Sequence, residues 1–242
     1  MEKEFVKVLS NQNIAKDTYE MRLYAPKITK TAYQGQFINI GLNNESKLLK
    51  RPISINAIDG EYLTICYKIN GFGTKELATY KEGTILEAIG PLGQGFPLVN
   101  KQKVLVVGGG IGVAPIVELV RNLHDNDLTI LLSFRDKDSV IYEEKLKEYG
   151  KVIVTTDDGS YGYKGNAMDY LNEFNPLFDT IYGCGPEILL TLLEKKYQGR
   201  NGYLSYEARM ACGVGLCHGC VKGSDHYCVC TDGPVFRLGV IK

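Results

Sequence analysis

Several short stretches between Met1 and about Leu98 alternate apolar and polar residues. Six read as strands: FVKVLS, YEMRLYA, QFINIGL, RPISINAI, YLTICYKI and TILEAIG. A period of two places one set of side chains on one face of a strand. Turn residues such as Asp59-Gly60 separate the stretches. Closely spaced strands divided by turns predict a small antiparallel barrel, assigned to residues 1–99. The Gly- and Pro-rich GPLGQGFPLVN closes it and marks the domain boundary.

From about Lys101 the rhythm changes. KVLVVGGG is a β-branched apolar run that ends in glycines, and IGVAPIVELVRNLHD follows with Ile116, Leu119, Val120 and Leu123 at helical spacing. LTILLSF then predicts a strand and VIYEEKLKEYG a helix. VIVTTDDG, AMDYLNEF and TIYGCGPEILLTLLEKKY continue the alternation. Strand–helix repeats predict a parallel sheet with right-handed crossovers over residues 100–200, with ligands at the C-terminal strand ends. Residues 201–242 are too few for a core of their own. The expected fold is therefore multidomain α+β: barrel, α/β domain and a small cysteine-rich segment stapled by a metal cluster.

Composition narrows the function. The 242 residues are 44% hydrophobic and 23% charged, with a formal net charge of +0. That describes an ordinary globular protein and argues against nucleic acid as a partner. The N-terminus, MEKEFVKVLSN, has no apolar core, so no signal peptide is expected. No apolar run is long enough to span a bilayer. With seven cysteines, an odd number, concentrated near one end, the expected compartment is the reducing cytoplasm.

Cys212, Cys217 and Cys220 read Cys-x4-Cys-x2-Cys within CGVGLCHGC, the plant-type spacing for a 2Fe–2S cluster completed by a remote thiolate. Zinc more usually takes two short cysteine pairs. Cys228 and Cys230 both follow, and their spacing alone does not choose the fourth ligand. Gly109, Gly110 and Gly112 lie where a strand meets a helix, a place for a phosphate against backbone N–H groups. Asp136 sits near the spacing of a ribose-binding acid and favours NAD, whereas neighbouring Arg135 favours NADP. Cys184, between Gly183 and Gly185, stands at a strand end where a nicotinamide would lie; a buried packing cysteine is the plain alternative. Arg51 has the planar fork that clamps a pyrophosphate.

The combination of Arg51-Pro52-Ile53-Ser54, the Gly-rich α/β region with its Cys184-Gly185-Pro186 turn, and the cysteine-rich tail resembles the ferredoxin reductase flavoprotein family. The tail from Glu207 to Cys220, with Cys230-Thr231-Asp232-Gly233-Pro234-Val235-Phe236, resembles more specifically the electron-transfer subunits of NAD-dependent (class 1B) dihydroorotate dehydrogenases. That resemblance implies FAD held by Arg51, Pro52, Ile53, Ser54, Cys66, Tyr67, Lys68, Gly73 and Thr74. It implies NAD(H) at the glycine turn with Cys184 beside it, and a 2Fe–2S cluster on Cys212, Cys217, Cys220 and Cys230. It implies an oxidoreductase subunit that passes electrons from NADH through FAD and the cluster to the FMN of a partner catalytic subunit, in the conversion of dihydroorotate to orotate in pyrimidine biosynthesis. The expected assembly is a heterotetramer of two of each. Two features differ: Ile53 stands where plant-type reductases carry an aromatic residue, and the stretch between Cys220 and Cys230 is short and contains Cys228. The competing readings are a reductase for an oxygenase, hydrogenase or ferredoxin, and a non-enzymatic iron–sulfur redox sensor.

Overall fold

The computed structural model describes every residue except Glu45, Lys47 and Lys242. All six predicted N-terminal stretches are strands: β1 (Glu2–Ala15), β2 (Thr18–Tyr24), β3 (Phe37–Ile40), β4 (Arg51–Asp59), β5 (Tyr62–Lys68) and β6 (Ile85–Leu92). They close into an antiparallel barrel in the order β1-β2-β5-β4-β3-β6. The alternation does the sorting: Val6, Val8, Met21, Leu23, Ile38, Ile40, Ile55, Leu63 and Ile65 are buried inside. Two short helices, α1 (Pro26–Thr29) and α2 (Phe72–Leu77), interrupt the strands.

Strands β7 (Lys103–Gly109), β8 (Asp127–Phe134), β9 (Lys151–Thr156), β10 (Tyr163–Lys164), β11 (Thr180–Cys184) and β12 (Asn201–Ser205) form a parallel sheet in the order β10-β9-β8-β7-β11-β12. Their connections carry α3 (Ala114–Asn122), α4 (Glu143–Lys147), α5 (Ala167–Phe174) and α6 (Glu187–Lys196). Helix α3 is buried on more than its predicted stripe, with Val117 and Glu118 enclosed as well. It is wedged between its own sheet and the barrel. Asn56 Nδ2 donates to Ala114 O at 2.8 Å, Ile58 N donates to Glu118 Oε2 at 3.1 Å, and Arg121 donates to Ile58 O at 2.8 Å.

Two expectations change. The helix read in VIYEEKLKEYG forms only over Glu143–Lys147. Tyr142 before it is left-handed, with φ 60°, and its hydroxyl donates to Glu20 Oε2 of the barrel at 2.7 Å. An anchor across the domain junction thus holds Tyr142 and the residues before it out of the helix. The sheet also runs past residue 200. Asn201–Ser205 pairs in parallel with β11, and the late strand β15 (Val235–Arg237) pairs with it antiparallel. Asn201–Ser205 therefore belongs to the sheet rather than to the cysteine-rich segment. Between these strands lie β13 (Val221–Lys222) and β14 (Tyr227–Cys228), a small hairpin. The segment shares its neighbours' core, as its length demanded: Cys220, Cys228, Val229, Cys230 and Phe236 are buried with Leu105, Leu190 and Phe37.

Candidate functional site

A cleft of about 350 Å³ opens where the barrel meets the sheet. Pro52, Ile53 and Ser54 of β4, Cys66, Tyr67 and Lys68 of β5, and Thr74 of α2 form its barrel side. Cys184, Ser205, Tyr206, Glu207, Ala208 and Met210 form the other. Seven of the nine residues expected to hold a flavin are thus brought together. Strand alternation gives Cys66 and Tyr67 different parts. The Tyr67 ring lies in the barrel interior, stacked on Tyr19, with its hydroxyl donating to Asn11 Oδ1 at 2.8 Å. Tyr67 therefore offers the cleft its backbone. The other two residues, Arg51 and Gly73, pack against each other beside lining residues Pro52 and Thr74. A β-carbon on Gly73 would occupy the place of the Arg51 guanidinium, whose Nη2 lies only 2.6 Å from that position. Gly73 thus leaves the room in which Arg51 lies across the start of α2, where its guanidinium also donates to Leu49 O.

A second cleft, of about 620 Å³, lies over the C-terminal ends of β7, β8 and β9. Gly109, Gly110, Gly112, Gly185 and Pro186 line it, as the sheet's topology requires of a nucleotide site. The glycines act differently. Gly110 is left-handed, with φ 54°, and a β-carbon there meets nothing within 4 Å. A β-carbon on Gly112 would stand 2.6 Å from both Cα and N of Gly185. Gly112 thus lets the two turns close on each other. Asp136 does not line this cleft. Its Oδ1 accepts from Ser139 Oγ at 2.7 Å and its Oδ2 faces Lys16 at 3.7 Å, and the Ser139 hydrogen bond holds its carboxyl below the usual range. Arg135, Ser139 and Asp157 line the cleft instead.

The clefts share Lys68, Ile111 and Glu207. Cys184 is buried at this junction, and burial pushes its thiol up to about 12. It faces the flavin-side cleft as a neutral, polarizable group, not a thiolate. Burial does the same to Cys66, also to about 12, with the Tyr142 hydroxyl opposing.

Met210 leads directly into the cysteine loop. Asn39 of β3 pins that loop to the barrel by donating to Cys212 O at 3.1 Å. Gly213 and Gly215 take φ of 70° and 80°, a region that favours glycine. The backbone then turns its N–H groups onto sulfur. Val214, Leu216 and Cys217 donate to Cys212 Sγ at 3.4, 3.3 and 3.4 Å, and Gly215 donates to Cys230 Sγ at 3.2 Å. The Val214 N–H foremost lowers the Cys212 thiol to about 6, while burial pushes Cys230 up to about 12. Cys217 lies beside Cys212, and Cys220 lies beside both Cys228 and Cys230. Among the described residues no group of three or more His, Cys, Asp or Glu forms a site for a metal ion. Thiols gathered under backbone N–H donors suit the sulfur ligands of an iron–sulfur cluster. Cys228 also neighbours Cys220, but its sulfur faces His218 Nδ1 at 3.7 Å.

A closed barrel, a parallel sheet with its cleft at the strand ends, and a sulfur-rich loop fed from the junction define a reductase-type flavoprotein with an iron–sulfur segment. Comparisons with known proteins narrow the class. The iron–sulfur cluster binding domain of dihydroorotate dehydrogenase B matches residues 207–242. The chain is 40% identical over 256 residues to the dihydroorotate dehydrogenase B (NAD(+)) electron transfer subunit of Bacillus cereus, covering 100% of this chain and 99% of that one. The Bacillus anthracis counterpart matches at the same 40%. A solved NADH-dependent reduced ferredoxin–NADP oxidoreductase superposes with a TM-score of 0.90 at 29% identity, over 99% of this chain and 90% of that one. Phthalate dioxygenase reductase shares the fold, with a TM-score of 0.66 at 17% identity over 91% and 86% of the two chains. This chain belongs to the family of dihydroorotate dehydrogenase B electron transfer subunits.

Glu207, Ser205 and Asp157 are cleft residues that local sequence signals did not single out. Glu207 and Ser205 reach the site because β12 ends there, and Asp157 because β9 does. No helix of the described residues is long and apolar enough to cross a membrane.

Proposed function

We propose that this chain passes electrons between NAD(H) and a partner catalytic subunit that carries FMN, two copies of each forming the assembly that interconverts dihydroorotate and orotate. One observation carries the reading. Ser205 to Ala208 and Met210 line the flavin-side cleft, and two residues later Cys212 begins the cluster loop. Nucleotide cleft, flavin cleft and thiol loop therefore adjoin within one short stretch of chain.

Bound FAD and a 2Fe–2S cluster supply the conversion between a hydride and single electrons, which a nicotinamide performs poorly. The chain's own residues position and enclose. Arg51, lying over Gly73, offers its guanidinium to a pyrophosphate, and Thr74 and the β4–β5 residues line the flavin's cleft. Gly109, Gly110 and Gly112 open the nucleotide cleft at the end of β7. Cys184 walls the junction with a neutral thiol. Cys212, Cys217, Cys220 and Cys230 are assigned to the cluster. Cys230 is preferred over Cys228 because its sulfur receives an N–H from within the loop. Leu216 and Cys217 at the loop's apex are exposed, the former at 81%, which would leave a cluster held there open to a partner on that side.

Dihydroorotate oxidation releases two electrons, so in that direction the relay runs toward NAD+. Supplied with NADH, the same carriers run the other way. No orotate site is recognisable among the described residues. Alone it should oxidise NADH with artificial acceptors and not reduce orotate. Mixed with a dihydroorotate-oxidising FMN subunit it should connect the two, and orotate reduction by this chain alone would refute the division of labour. The likeness to the ferredoxin–NADP oxidoreductase supports a second reading, a reductase subunit serving ferredoxin. Faster electron transfer to ferredoxin than to the FMN subunit would favour it.

A further inference from the structure

Both ends of the cysteine-rich loop rest on one part of the barrel. At the first end, Asn39 of β3 donates to Cys212 O at 3.1 Å. At the second, Gln94, just past β6, takes Pro234 as a bridge partner. The Gln94 N–H donates to Gly233 O at 2.6 Å, its carbonyl accepts from Val235 N at 3.4 Å, and its side chain donates to Thr231 O at 3.4 Å. Strands β3 and β6 are neighbours, with Asn39 opposite Ile89. Two residues before Asn39, and so on the same face of β3, Phe37 lines the flavin-side cleft. One strand of four residues therefore carries both a wall of that cleft and the anchor of the thiol loop.

The fit at the anchor is close. Asn39 is 2% exposed, and a β-carbon on Gly213 would stand on its amide nitrogen. Gly213 thus leaves the room in which the amide reaches the Cys212 carbonyl. The other amide atom, Asn39 Oδ1, is buried with no hydrogen-bond partner among the described residues. A buried acceptor left unpaired lowers stability. An apolar residue would fill the position without that cost, so the amide is explained by what it holds, the backbone of the first cluster cysteine.

We propose that Asn39 is a positioning residue for electron transfer between flavin and cluster. Its hydrogen bond to Cys212 O fixes the loop against β3, and so fixes how far the first thiolate lies from the flavin-side cleft. This rests on the reading of that cleft as the FAD site and of the loop as the cluster site. Asn39 acts through the Cys212 peptide. The residues that follow in the chain supply the N–H groups that face Cys212 Sγ and Cys230 Sγ. Without the anchor, the thiol and its donors are free to shift together away from the barrel.

The test uses the full chain with its cofactors, kept anaerobic. Asn39→Leu keeps the approximate size and removes the donor. Loss of iron to a ferrous chelator should quicken about 10- to 100-fold, the range for groups that orient metal ligands. In stopped flow, transfer from NADH-reduced flavin to the cluster should slow by a similar factor, and more than flavin reduction by NADH slows. Gly213→Ala pushes on the same contact from the loop side and should have the same two effects. In Asn39→Ala the added methyl group has room, so Gly213→Ala should do less there than in the wild type. The left-handed backbone of residue 213, with φ 70°, is common to both backgrounds and cancels. Wild-type rates of both processes in Asn39→Leu overturn the proposal. So does faster iron loss with an unaltered flavin-to-cluster rate, which would make Asn39 a structural residue only, and so does strict additivity of Asn39→Ala and Gly213→Ala. If Asn39→Leu does not fold, Gly213→Ala decides, and wild-type rates in it overturn the proposal. Wild-type protein that binds no flavin or no iron would overturn the underlying reading, and the proposal with it.

Discussion

Gly112→Ala tests whether the two glycine turns must close on each other to make the nucleotide cleft. The added β-carbon would meet Gly185 Cα and N at 2.6 Å and Cys184 C at 2.7 Å. All three are backbone atoms, so no side chain can swing aside. The turns after β7 and β11 must separate by several tenths of an ångström, and overpacking of this kind costs about 1–3 kcal/mol. If the strain stays in the folded chain, the melting midpoint falls by roughly 2–4 °C per kcal/mol. If the turns relax apart and NADH binding must draw them together again, the same energy appears as a loss of affinity. At 1.4 kcal/mol per decade that is about 5- to 140-fold. Thermal unfolding followed by circular dichroism, together with NADH titration of the same sample, reads both quantities. A variant with unchanged midpoint and unchanged NADH affinity would refute the role assigned to this contact.

Other changes separate neighbouring residues of the site. Cys230→Ser should lose iron and partner-directed electron transfer, whereas Cys228→Ser should keep both; iron analysis that shows the reverse moves the fourth ligand to Cys228. Cys184 should resist alkylation near neutral pH in the folded protein, because a thiol raised to about 12 stays protonated far below that value; rapid labelling with iodoacetamide would contradict its burial. Cys184→Ala should slow flavin reduction by NADH in stopped flow with flavin content unchanged, and an unaltered rate would leave Cys184 a packing residue. Arg51→Ala should weaken FAD retention on dialysis, since a charge-assisted contact to a pyrophosphate is lost.

Much of this molecule is legible in its sequence, and the physical reasons differ by region. The barrel strands show because one face of each is buried, so that Val6 and Val8, Met21 and Leu23, and Leu63 and Ile65 recur at a period of two. The parallel sheet shows because its strands are buried on both faces and read as apolar runs. The cysteine spacing shows because the loop's chemistry is local. What depends on distant contacts does not show. Nothing near Tyr142 announces that it will reach Glu20 and shorten a helix. Asp136 has the spacing of a ribose ligand, but Ser139 and Lys16 occupy it, and Asp157 reaches the cleft from the end of the adjacent strand β9. Asn201–Ser205 looks like the start of the tail because only β11 and β15, far away in sequence, reveal it as a sheet strand. Glu207 draws attention only once both clefts are seen to meet at it.

The central claim is that one chain holds a flavin and an iron–sulfur cluster in electronic contact with a nucleotide cleft. Cofactor analysis of anaerobically purified protein, combined with spectra taken as NADH is added, tests it most directly. About two irons and one FAD per chain are expected, with bleaching of the flavin on mixing with NADH and a reduced-cluster paramagnetic signal that follows. A colourless, well-folded protein containing zinc, or a flavin that NADH reduces while the cluster stays oxidised at every NADH level, would contradict it.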